Sequence, residues 1–462
     1  MKKPYVCGII VNWNRKEDII KCIKSLKKIN YDGFDILVVD NASADGSVEA
    51  IKKEFTDVEI MENKENLGGS GGFNKGISHA LEKDKYDYLW LLDNDIIVSS
   101  ESLNELLKAF STDNKIAVAG SMILRMDQPE TLQELGAYIN DKEFKRVANL
   151  RDFPVSKISK KIIDVDYVAA CSLLVDFKKL KKVGLMDTDY FLYFDDVEWC
   201  TRFKSAGYRV VAVSNSKIWH KEGGRNRKNN LPVYYIWRNK LYFFSLYCKR
   251  KGLEKKFVIS YLTELYTALY ITKLLNKINA HKTIILSVFD SLQKIRGKAK
   301  DNRLLEIDDN VFGKYFTNDF KEIIVIGENF DFYSQFENFI KKQKNQNTSV
   351  SYFYSGNIPE MSEFLLNKIK FFKINELKDY YKSEKNSILI LNKHILSNPN
   401  KAEIDFVDLL RKNDKNIYYL DQYSNFYKGY INLLKERKEY GVKLKLFLDI
   451  YSSILIEWME SL

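Results

Sequence analysis

The stretch YDYLWLLDNDIIVS, residues 86–99, organises the fold predicted for this chain. Its apolar run Tyr88–Leu92 is typical of a strand buried on both faces, and it ends at Asp93-Asn94-Asp95. Open α/β sheets bind ligands at the carboxyl ends of their strands, where alternate residues can point to one place. The two carboxylates therefore suggest a hard divalent cation that holds a diphosphate. Because Asp and Asn also favour plain turns, a turn without metal remains the alternative here.

Composition limits the class of protein. A chain of 462 residues is expected to form two or three domains. Its five cysteines are scattered without CxxC spacing, which argues against a disulfide framework or a zinc site and fits a reducing compartment. We see no secretory leader, and no window reaches the roughly 18 apolar residues that span a bilayer. We therefore expect a cytoplasmic protein that is soluble or lies at the inner face of the cell membrane.

The residues before this stretch alternate between strand and helix patterns. Strands are predicted at Tyr5–Val11, Phe34–Val39 and Val58–Met61, and helices are predicted to begin near Glu17, Val48 and Phe73. A polar loop follows each strand. This βαβαβαβ order predicts an α/β domain with polar side chains gathered at one edge of the sheet.

A glycine-rich stretch, GGSGGFNKG at residues 68–76, needs a test against dinucleotide binding. The dinucleotide fingerprint requires G-x-G-x-x-G directly after the first strand, whereas these glycines follow a later strand and Asn74 replaces the third glycine. An NAD site is therefore not expected. The glycines still predict a loop that can approach a ligand, followed by a helix whose amino end favours anions. A flexible turn without a ligand is the alternative.

Two further motifs carry titratable side chains. The segment FLYFDDVEWCTR, residues 191–202, places Asp195, Asp196 and Glu198 in an apolar setting. A helix dipole accounts for one or two acids at a helix start, but a partly desolvated carboxylate can also serve as a base. His220, in KIWHKEGG, follows a predicted strand at Val210–Ser214, where a lone histidine is often only structural. The loop GGRNRKNN, residues 223–230, offers cations to a phosphate.

Together these motifs resemble the inverting glycosyltransferases of family two, which have the GT-A fold, a Rossmann-like mixed sheet. The resemblance covers about residues 3–244, and GGSGGFNKG with Arg238-Asn239 is most similar to the galactofuranosyl- and rhamnosyltransferase branch. It rests on these residues in order along the chain: Asn12, Arg15, Asp40, Asn41, Ser43, Gly46, Ser47, Asn66, Leu67, Gly68, Asp93 and Asp95.

The resemblance implies a role for each motif. Asp196 would be the catalytic base, and Asp195 and Glu198 would contact the acceptor or hold the base. Asp93, Asp95 and His220 would bind Mn²⁺ or Mg²⁺. The donor nucleotide sugar would be bound by residues spread over five loops, namely Asn12, Arg15, Asp40, Asn66, Gly68, Gly69, Asn94 and Arg225.

The expected reaction moves galactofuranose from UDP-galactofuranose to a hydroxyl of a growing, lipid-linked, bacterial-type surface polysaccharide. A rhamnosyltransferase that uses dTDP-L-rhamnose is the first alternative. A nucleotidyltransferase is a second, although the basic glycine-rich signature that such an enzyme needs near its amino terminus is absent. A non-catalytic glycan-binding scaffold is a third, although all of the acids that catalysis would need are present.

The rest of the chain predicts three regions: the catalytic domain at 1–240, a basic helical segment at 241–310 and a smaller Rossmann-like α/β domain at 311–462. Between Lys249 and Lys300 there are twelve Lys or Arg and three acids, in a chain of net charge +11. These helices are expected either to lie on an anionic membrane or to form a bundle with a solvated basic face. No motif for nucleic acid accompanies the charge.

The last region is predicted to contain four strands, at Glu322–Ile326, Ser349–Tyr354, Ser387–Leu391 and Asn416–Leu420, with helices such as Phe332–Lys342 and Phe406–Arg411 between them. A terminal helix at Leu444–Leu462 has apolar residues suited to self-association, so a homo-oligomer is expected.

Overall fold

The structure is a computed structural model that describes residues 3–159, 161–221, 229–274, 277–307 and 430–461, together with six strands between residues 322 and 428. It contains two compact units. The first comprises Met1–Tyr261, Thr283–Glu306 and Ile456–Leu462, and the second comprises Leu262–Lys282 and Ile307–Leu455. All of the described candidate site residues lie in the first unit.

The first unit is built on a mixed ten-stranded sheet with the order β10-β12-β6-β11-β4-β1-β2-β3, in which β5 pairs with β12 and β7 with β6. The strands of this unit are β1 (Val6–Asn12), β2 (Phe34–Asp40), β3 (Glu59–Glu62), β4 (Tyr88–Asp93), β5 (Ile96–Val98), β6 (Ile116–Arg125), β7 (Leu132–Glu134), β8 (Ala137–Asn140), β9 (Lys145–Ala148), β10 (Ile162–Asp164), β11 (Ser172–Asp176) and β12 (Arg209–His220). Its first helices are α1 (Lys16–Leu26), α2 (Ser47–Glu54), α3 (Gly68–Lys83), α4 (Ser102–Thr112), α5 (Phe177–Val183) and α6 (Asp195–Ser205). The α/β class and the early element order are confirmed.

The strand β4 lies in the middle of this sheet, as its apolar sequence predicts. Its residues Leu89–Leu92 are fully buried, and β4 is parallel to β1 and antiparallel to β11. The indole of Trp90 donates a hydrogen bond to Ser172 Oγ at 3.0 Å, so its one polar atom is satisfied inside the core. Replacing such a buried side chain by alanine destabilises a protein by about 3–5 kcal/mol. The end of β4 is therefore anchored in a well-packed core.

The glycine-rich stretch forms the first two turns of α3 rather than a loop before a helix at Phe73. Its glycines let the helix approach the sheet: a Cβ at Gly72 would lie 2.7 Å from Val11 Cγ1, and one at Gly76 would lie 2.5 Å from Ile9 Cγ2. The expected loop is therefore wrong. Sequence pattern misplaced the helix start because glycine has a low intrinsic helix propensity, which close packing overrides here.

Three long helices follow the sheet: α7 (Leu231–Lys249), α8 (Glu254–Leu274) and α9 (Ile278–Leu292). This confirms the helical segment expected from the sequence. Within the first unit α9 packs on α7, where Tyr234 donates to Asp290 Oδ2 at 2.6 Å and Ser291 donates to the Arg238 carbonyl at 3.1 Å. Among the described residues, no helix is long and apolar enough to cross a membrane.

The second unit contains a six-stranded sheet with the order β15-β14-β13-β16-β17-β18. Its strands are β13 (Glu322–Gly327), β14 (Ser349–Tyr354), β15 (Ile369–Lys373), β16 (Ser387–Asn392), β17 (Ile417–Leu420) and β18 (Phe426–Lys428). The first five are parallel, and β18 is antiparallel. The four predicted strands are confirmed, β15 and β18 were missed, and the helices predicted at 332–342 and 406–411 lie outside the described residues.

The terminal helix, α10 (Tyr430–Glu460), starts fourteen residues earlier than the sequence pattern suggested. Val442, Leu446, Ile450 and Ile454 recur every fourth residue along it and are at least 48% exposed. Self-association through this helix stays a prediction.

Candidate functional site

The candidate site lies at the carboxyl ends of β1, β2 and β4. Strand register places Asn12 beside Asp40 and Val11 beside Asp93, so three predicted site residues share this edge of the sheet. The antiparallel strand β11 begins at the same edge, and the amide of Asp93 donates to the Cys171 carbonyl at 3.2 Å. The edge predicted from the sequence is therefore the one that collects the acids.

Asp93, Asp95 and His220 form a compact cluster, with one ligand-type atom from each lying within 4.8 Å of the others. His220 Nε2 lies 3.2 Å from Asp95 Oδ1 and 4.0 Å from Asp93 Oδ2. The side chain of Asp93 is 42% exposed, whereas those of Asp95 and His220 are 11% and 15% exposed. Two carboxylates and one imidazole are a donor set that suits Mn²⁺ or Mg²⁺.

Strand pairing brings His220 from 125 residues away in sequence to this cluster. β12 is antiparallel to β5, and its last residue, His220, lies opposite Ile96, next to Asp95. The ring is fixed from its other side, because Nδ1 is 3.0 Å from Gln133 Oε1 on β7. With a proton on Nδ1, this hydrogen bond leaves the Nε2 lone pair for a metal.

The two carboxylates of the cluster differ in basicity. Burial and the negative charge of Asp95 raise the pKa of Asp93 to about 6. Burial alone would raise the pKa of Asp95 as well, but the hydrogen bond and charge of His220, with a smaller effect of Arg15, bring it below its ordinary value. Two acids held so close favour a cation between them.

A hydrogen-bonded polar network adjoins the cluster. Asn12 Nδ2 donates to Asp40 Oδ1 at 3.0 Å, and Asn12 Oδ1 accepts from Asn94 Nδ2 at 2.7 Å, so Asn12 links the ends of β1, β2 and β4. Asp40 also accepts from the amide and hydroxyl of Ser43 at 2.8 and 2.7 Å. Asn12 and Asp40 are almost fully buried, so this network is a rigid floor for the edge.

The other predicted donor residues surround this floor. Arg15 lies 3.3 Å from Asp18 Oδ2, and its charge reaches Asp95. Asn66 accepts from the Gly68 amide at 2.8 Å. Gly68 has a φ of +75°, and a Cβ there would lie 2.3 Å from the Phe191 carbonyl oxygen, so only glycine fits. The Gly69 amide donates to the same oxygen at 2.8 Å. Arg225 lies outside the described residues.

Asp195 and Asp196 begin helix α6, and short contacts tie them to the same edge. The Ala170 amide lies 3.4 Å from Asp196 Oδ2, and the next residue, Cys171, accepts from the Asp93 amide. A Cβ built on Gly69 would lie 3.3 Å from Asp195 Oδ2. The structure thus brings the predicted base, the predicted metal ligands and the start of α3 to one place.

The turn before α6 is held in an unusual backbone conformation. Phe191, Tyr193 and Phe194 have φ values of 62°, 65° and 71°, a region that non-glycine residues rarely adopt. Asn239 on α7 pins this turn by donating to the carbonyls of Tyr190, Leu192 and Tyr193 at 2.8–2.9 Å. The neighbouring side chain of Arg238, fully buried, donates to the Asp189 and Tyr190 carbonyls at 3.1 Å. The Arg-Asn pair therefore sets where α6 begins.

The acids at this helix start are poorly solvated. Burial, followed by the charge of Asp196, raises the pKa of Asp195 to about 7. Burial also raises the pKa of Asp196, while the charge of Arg146 on the β8–β9 hairpin and the Val197 amide limit the rise. A carboxylate with a raised pKa is a stronger base, as a proton acceptor needs to be.

Glu198 takes a different place. Both of its oxygens accept from Arg202 Nε, at 2.8 and 2.9 Å, and Arg202 also donates to the Val183 and Leu185 carbonyls. Glu198, one turn into α6, thus forms an ion pair with Arg202. This pair stabilises the helix that carries Asp196.

Sequence reasoning missed the contribution of the segment between β6 and β11. Gln133 orients His220, Arg146 acts on Asp196, and Glu134 is influenced by the charges of both Asp196 and His220. These residues sit on strands of three or four residues, β7 and β9, which are too short for periodicity to reveal. Glu134 stands alone between Gln133 and Leu135, and no sequence motif indicates a functional role for it.

Comparison with known proteins shows what the first part of this chain is similar to. A family model described as Glycosyl transferase family 2 matches residues 7–184. Galactofuranosyltransferase GlfT2 of Mycobacterium tuberculosis is 23% identical over 191 residues, which cover 38% of this chain and 30% of the relative. Rhamnosyltransferase WbbL of Escherichia coli is 29% identical over 240 residues, which cover 47% of this chain and 84% of the relative. The chain thus matches less than a third of the length of GlfT2.

A solved structure, mannosyltransferase PcManGT from Pyrobaculum calidifontis in complex with GDP-Man and Mn²⁺, covers 52% of this chain and 63% of its own. It has 16% sequence identity and a TM-score of 0.39, and we draw nothing further from it. The family match spans the polar edge from β1 to the end of α5, including both aspartates of the metal-type cluster. Residues 7–184 of this chain are therefore similar to glycosyl transferase family 2.

Proposed function

We propose that this chain is a metal-dependent, inverting glycosyltransferase with a GT-A domain that moves galactofuranose from UDP-galactofuranose to a hydroxyl of a lipid-linked glycan. One observation carries the proposal: Asp93, Asp95 and His220 converge within 4.8 Å, and Asp196 is tied to the same edge through Ala170 and Cys171. Such a site can hold both a nucleotide diphosphate and a base.

The donor set fits a divalent cation. Asp93, Asp95 and His220 would hold Mn²⁺ or Mg²⁺, with Gln133 fixing the imidazole. When bound, the cation would neutralise the charge that develops on the departing diphosphate. The polar floor of Asn12, Asp40 and Asn94 lies beside these ligands and offers buried acceptors and an amide for the nucleoside.

Residues of the chain would remove the acceptor proton and bind the donor. Asp196 would remove the proton from the attacking hydroxyl, and its raised pKa strengthens it for this step. Because attack comes from the face opposite the leaving diphosphate, the anomeric configuration would invert. The amino end of α3, which begins at Gly68, would favour the negative charge of the donor.

A second donor is favoured by a separate observation. The similarity to WbbL covers 84% of that rhamnosyltransferase, whereas the similarity to GlfT2 covers 30%. A chain that matches nearly the whole of one relative shares more of its site-forming segments with it. We therefore keep dTDP-L-rhamnose as the alternative donor.

A lipid-linked acceptor would place the enzyme at an anionic membrane surface. Ile285 and Phe289, one turn apart on α9, are 46% and 51% exposed, and the segment from Lys249 to Lys300 carries twelve basic residues against three acids. We expect the protein to sediment with phosphatidylglycerol-containing vesicles but not with phosphatidylcholine vesicles. The double variant Ile285→Ser/Phe289→Ser should lose this binding, and equal sedimentation of variant and wild type would remove the membrane from the proposal.

The test of the function is nucleotide release from a panel of sugar donors, with and without Mn²⁺. UDP-galactofuranose should release UDP in a metal-dependent way, and release from dTDP-L-rhamnose alone would select the alternative donor. Pyrophosphate exchange in place of nucleotide release would point to a nucleotidyltransferase. Donor binding without any turnover, even with an alkyl glycoside acceptor present, would leave a glycan-binding scaffold.

A further inference from the structure

Glu134, at the end of β7, is an acid that neither the family resemblance nor the proposed metal site uses. Its Oε1 atom is buried and makes no hydrogen bond within the described part of the chain. A buried polar atom without a partner costs about 1–3 kcal/mol, and more when the group is charged. A cost of this size next to a reaction site suggests that the missing partner is a ligand.

Backbone contacts bring the segment of Glu134 toward the proposed base. Ala137, three residues after Glu134, donates to the Tyr167 carbonyl at 3.0 Å, and Ala170, three residues after Tyr167, has its amide 3.4 Å from Asp196 Oδ2. The charge of Asp196 is the strongest electrostatic influence on Glu134, and with burial it raises the pKa of Glu134 to about 7. Arg146, Arg151 and His220 act on it in the opposite direction. Tyr167 feels the charges of both Glu134 and Asp196, which places the two acids around one region.

The position of Glu134 is rigid. β7 pairs with β6, where Glu134 lies opposite Ile123, and Ile123 in turn lies opposite Ile218, two residues before the proposed ligand His220. The preceding residue, Gln133, holds His220 in place. A side chain on a paired strand can bind a ligand with less loss of entropy than one on a loop.

The chemistry of Glu134 Oε1 indicates which kind of ligand it can bind. A carboxylate oxygen accepts hydrogen bonds, and a sugar hydroxyl can donate one. A phosphate oxygen is itself an acceptor and carries negative charge, so it is a poor partner for a carboxylate. The ligand that fits is therefore a hydroxyl-bearing sugar on the side of Asp196.

We propose that Glu134 is a specificity-determining residue of an acceptor subsite, where its carboxylate accepts a hydrogen bond from an acceptor sugar hydroxyl other than the one that Asp196 deprotonates. This inference rests on the proposed function. It gives β7, in the segment between β6 and β11, two roles. Glu134 would position the acceptor beside the base, and Gln133 orients the proposed metal ligand His220.

The test compares Glu134→Ala and Glu134→Gln with wild type in transfer to an octyl galactofuranoside or octyl rhamnoside, whichever matches the working donor. Glu134→Ala should raise the acceptor KM about tenfold, as expected for one hydrogen bond to a charged group. Donor KM and nucleotide release to water should stay within about twofold, a loss pattern that general misfolding would not produce. Glu134→Gln keeps an acceptor oxygen of the same shape and should recover most of the affinity.

Glu130→Ala is the matched control, since Glu130 lies four residues earlier and is exposed. An unchanged acceptor KM in Glu134→Ala overturns the inference, and so does an equal loss of donor hydrolysis and transfer. Should Glu134→Ala unfold, Glu134→Asp decides: its shorter side chain withdraws the carboxylate from the acceptor and should raise the acceptor KM at an unchanged donor KM, whereas a structural role would leave the ratio of the two KM values unaltered. If wild type turns over no donor at all, the proposed function fails and the inference fails with it.

Discussion

The two sides of the candidate site are built in different ways. On the donor side, the polar groups at the ends of β1, β2 and β4 satisfy one another, as in the chain of hydrogen bonds from Asn94 through Asn12 to Asp40. On the reaction side, the buried Asp195 and the partly buried Asp196 have raised pKa values, and the helix they begin follows three residues with positive φ. The hydrogen-bonded network of the donor side is relaxed, whereas the reaction side is under strain.

The two sides suit different steps of the proposed reaction. A satisfied network fixes geometry at little cost, which suits the recognition of a nucleotide that binds and leaves unchanged. A desolvated acid costs stability, and it is retained where a proton must be taken up. The α7 pair Arg238-Asn239 and the hairpin residue Arg146 stabilise the strained side from behind.

The largest effect is expected when the base is removed. Asp196→Asn should lower the transfer rate by about a thousandfold, within the range that a general base contributes, and should leave donor affinity largely intact. The measurement is kcat for transfer beside the donor Kd from titration. Asp189→Asn, an exposed acid just before α6, is the control and should be nearly normal. Persistent transfer in Asp196→Asn would move the base elsewhere.

Changes on the donor side should lower the transfer rate by weakening metal binding. His220→Ala should cut the rate with Mn²⁺ by about a hundredfold, since a cation supplies several kcal/mol of charge stabilisation. Chelation of wild type should give a similar loss that added Mn²⁺ reverses. Gln133→Leu, which frees the imidazole ring at Nδ1, should weaken metal affinity by about tenfold. Metal affinity of His220→Ala equal to that of wild type would remove the histidine from the site.

The clamp behind the reaction side should affect rate but not metal binding. Asn239→Ala removes three hydrogen bonds to the turn before α6 and should lower kcat by about tenfold or more, because a small displacement of a catalytic group is costly. Ser291→Ala, which removes a single contact to the backbone of α7, serves as the control. A weakened Mn²⁺ affinity in Asn239→Ala would mean that the two sides are not separable.

The charge of Arg146 should be visible in the pH profile. Arg146 lowers the pKa of Asp196, so Arg146→Gln should raise it, and the acid limb of kcat/KM should move to higher pH. The direction follows because the base works only when deprotonated, so the rate rises as pH passes its pKa. Lys145→Gln, exposed on the same hairpin, should leave the limb in place.

The donor side was largely predictable from the sequence, and the reaction side was only partly so. Asp40 and Asp93 end parallel strands whose apolar runs are long enough to recognise, and parallel topology then forces them to one edge. His220 needed the family resemblance, because an antiparallel pairing of β12 with a three-residue strand leaves no trace in periodicity.

The residues that periodicity missed share a physical cause. Glu134 and Arg146 act through space from short strands, and their effect depends on burial that no local pattern encodes. The glycines of α3 gave the opposite error. Their low helix propensity predicted a loop, but α3 can pack against Val11 and Ile9 only because Gly72 and Gly76 have no side chain. Tertiary packing decided both cases.

The smallest effect, and the most direct measure of the strain, concerns Asp195. Its folded pKa of about 7 lies above the ordinary 3.8 of an unfolded chain, so the folded state holds the proton more tightly and stability falls as pH rises from about 4 to about 7. Asp195→Asn carries no such proton and should be more stable than wild type at pH 8, with the difference vanishing near pH 4. Thermal unfolding with chelator present measures it. Part of the rise in the pKa of Asp195 comes from the charge of Asp196, so in Asp196→Asn the fall of stability with pH should start at the same pH as in wild type and end at a lower pH. Parallel curves for wild type and the two variants would mean that the reaction side is not strained.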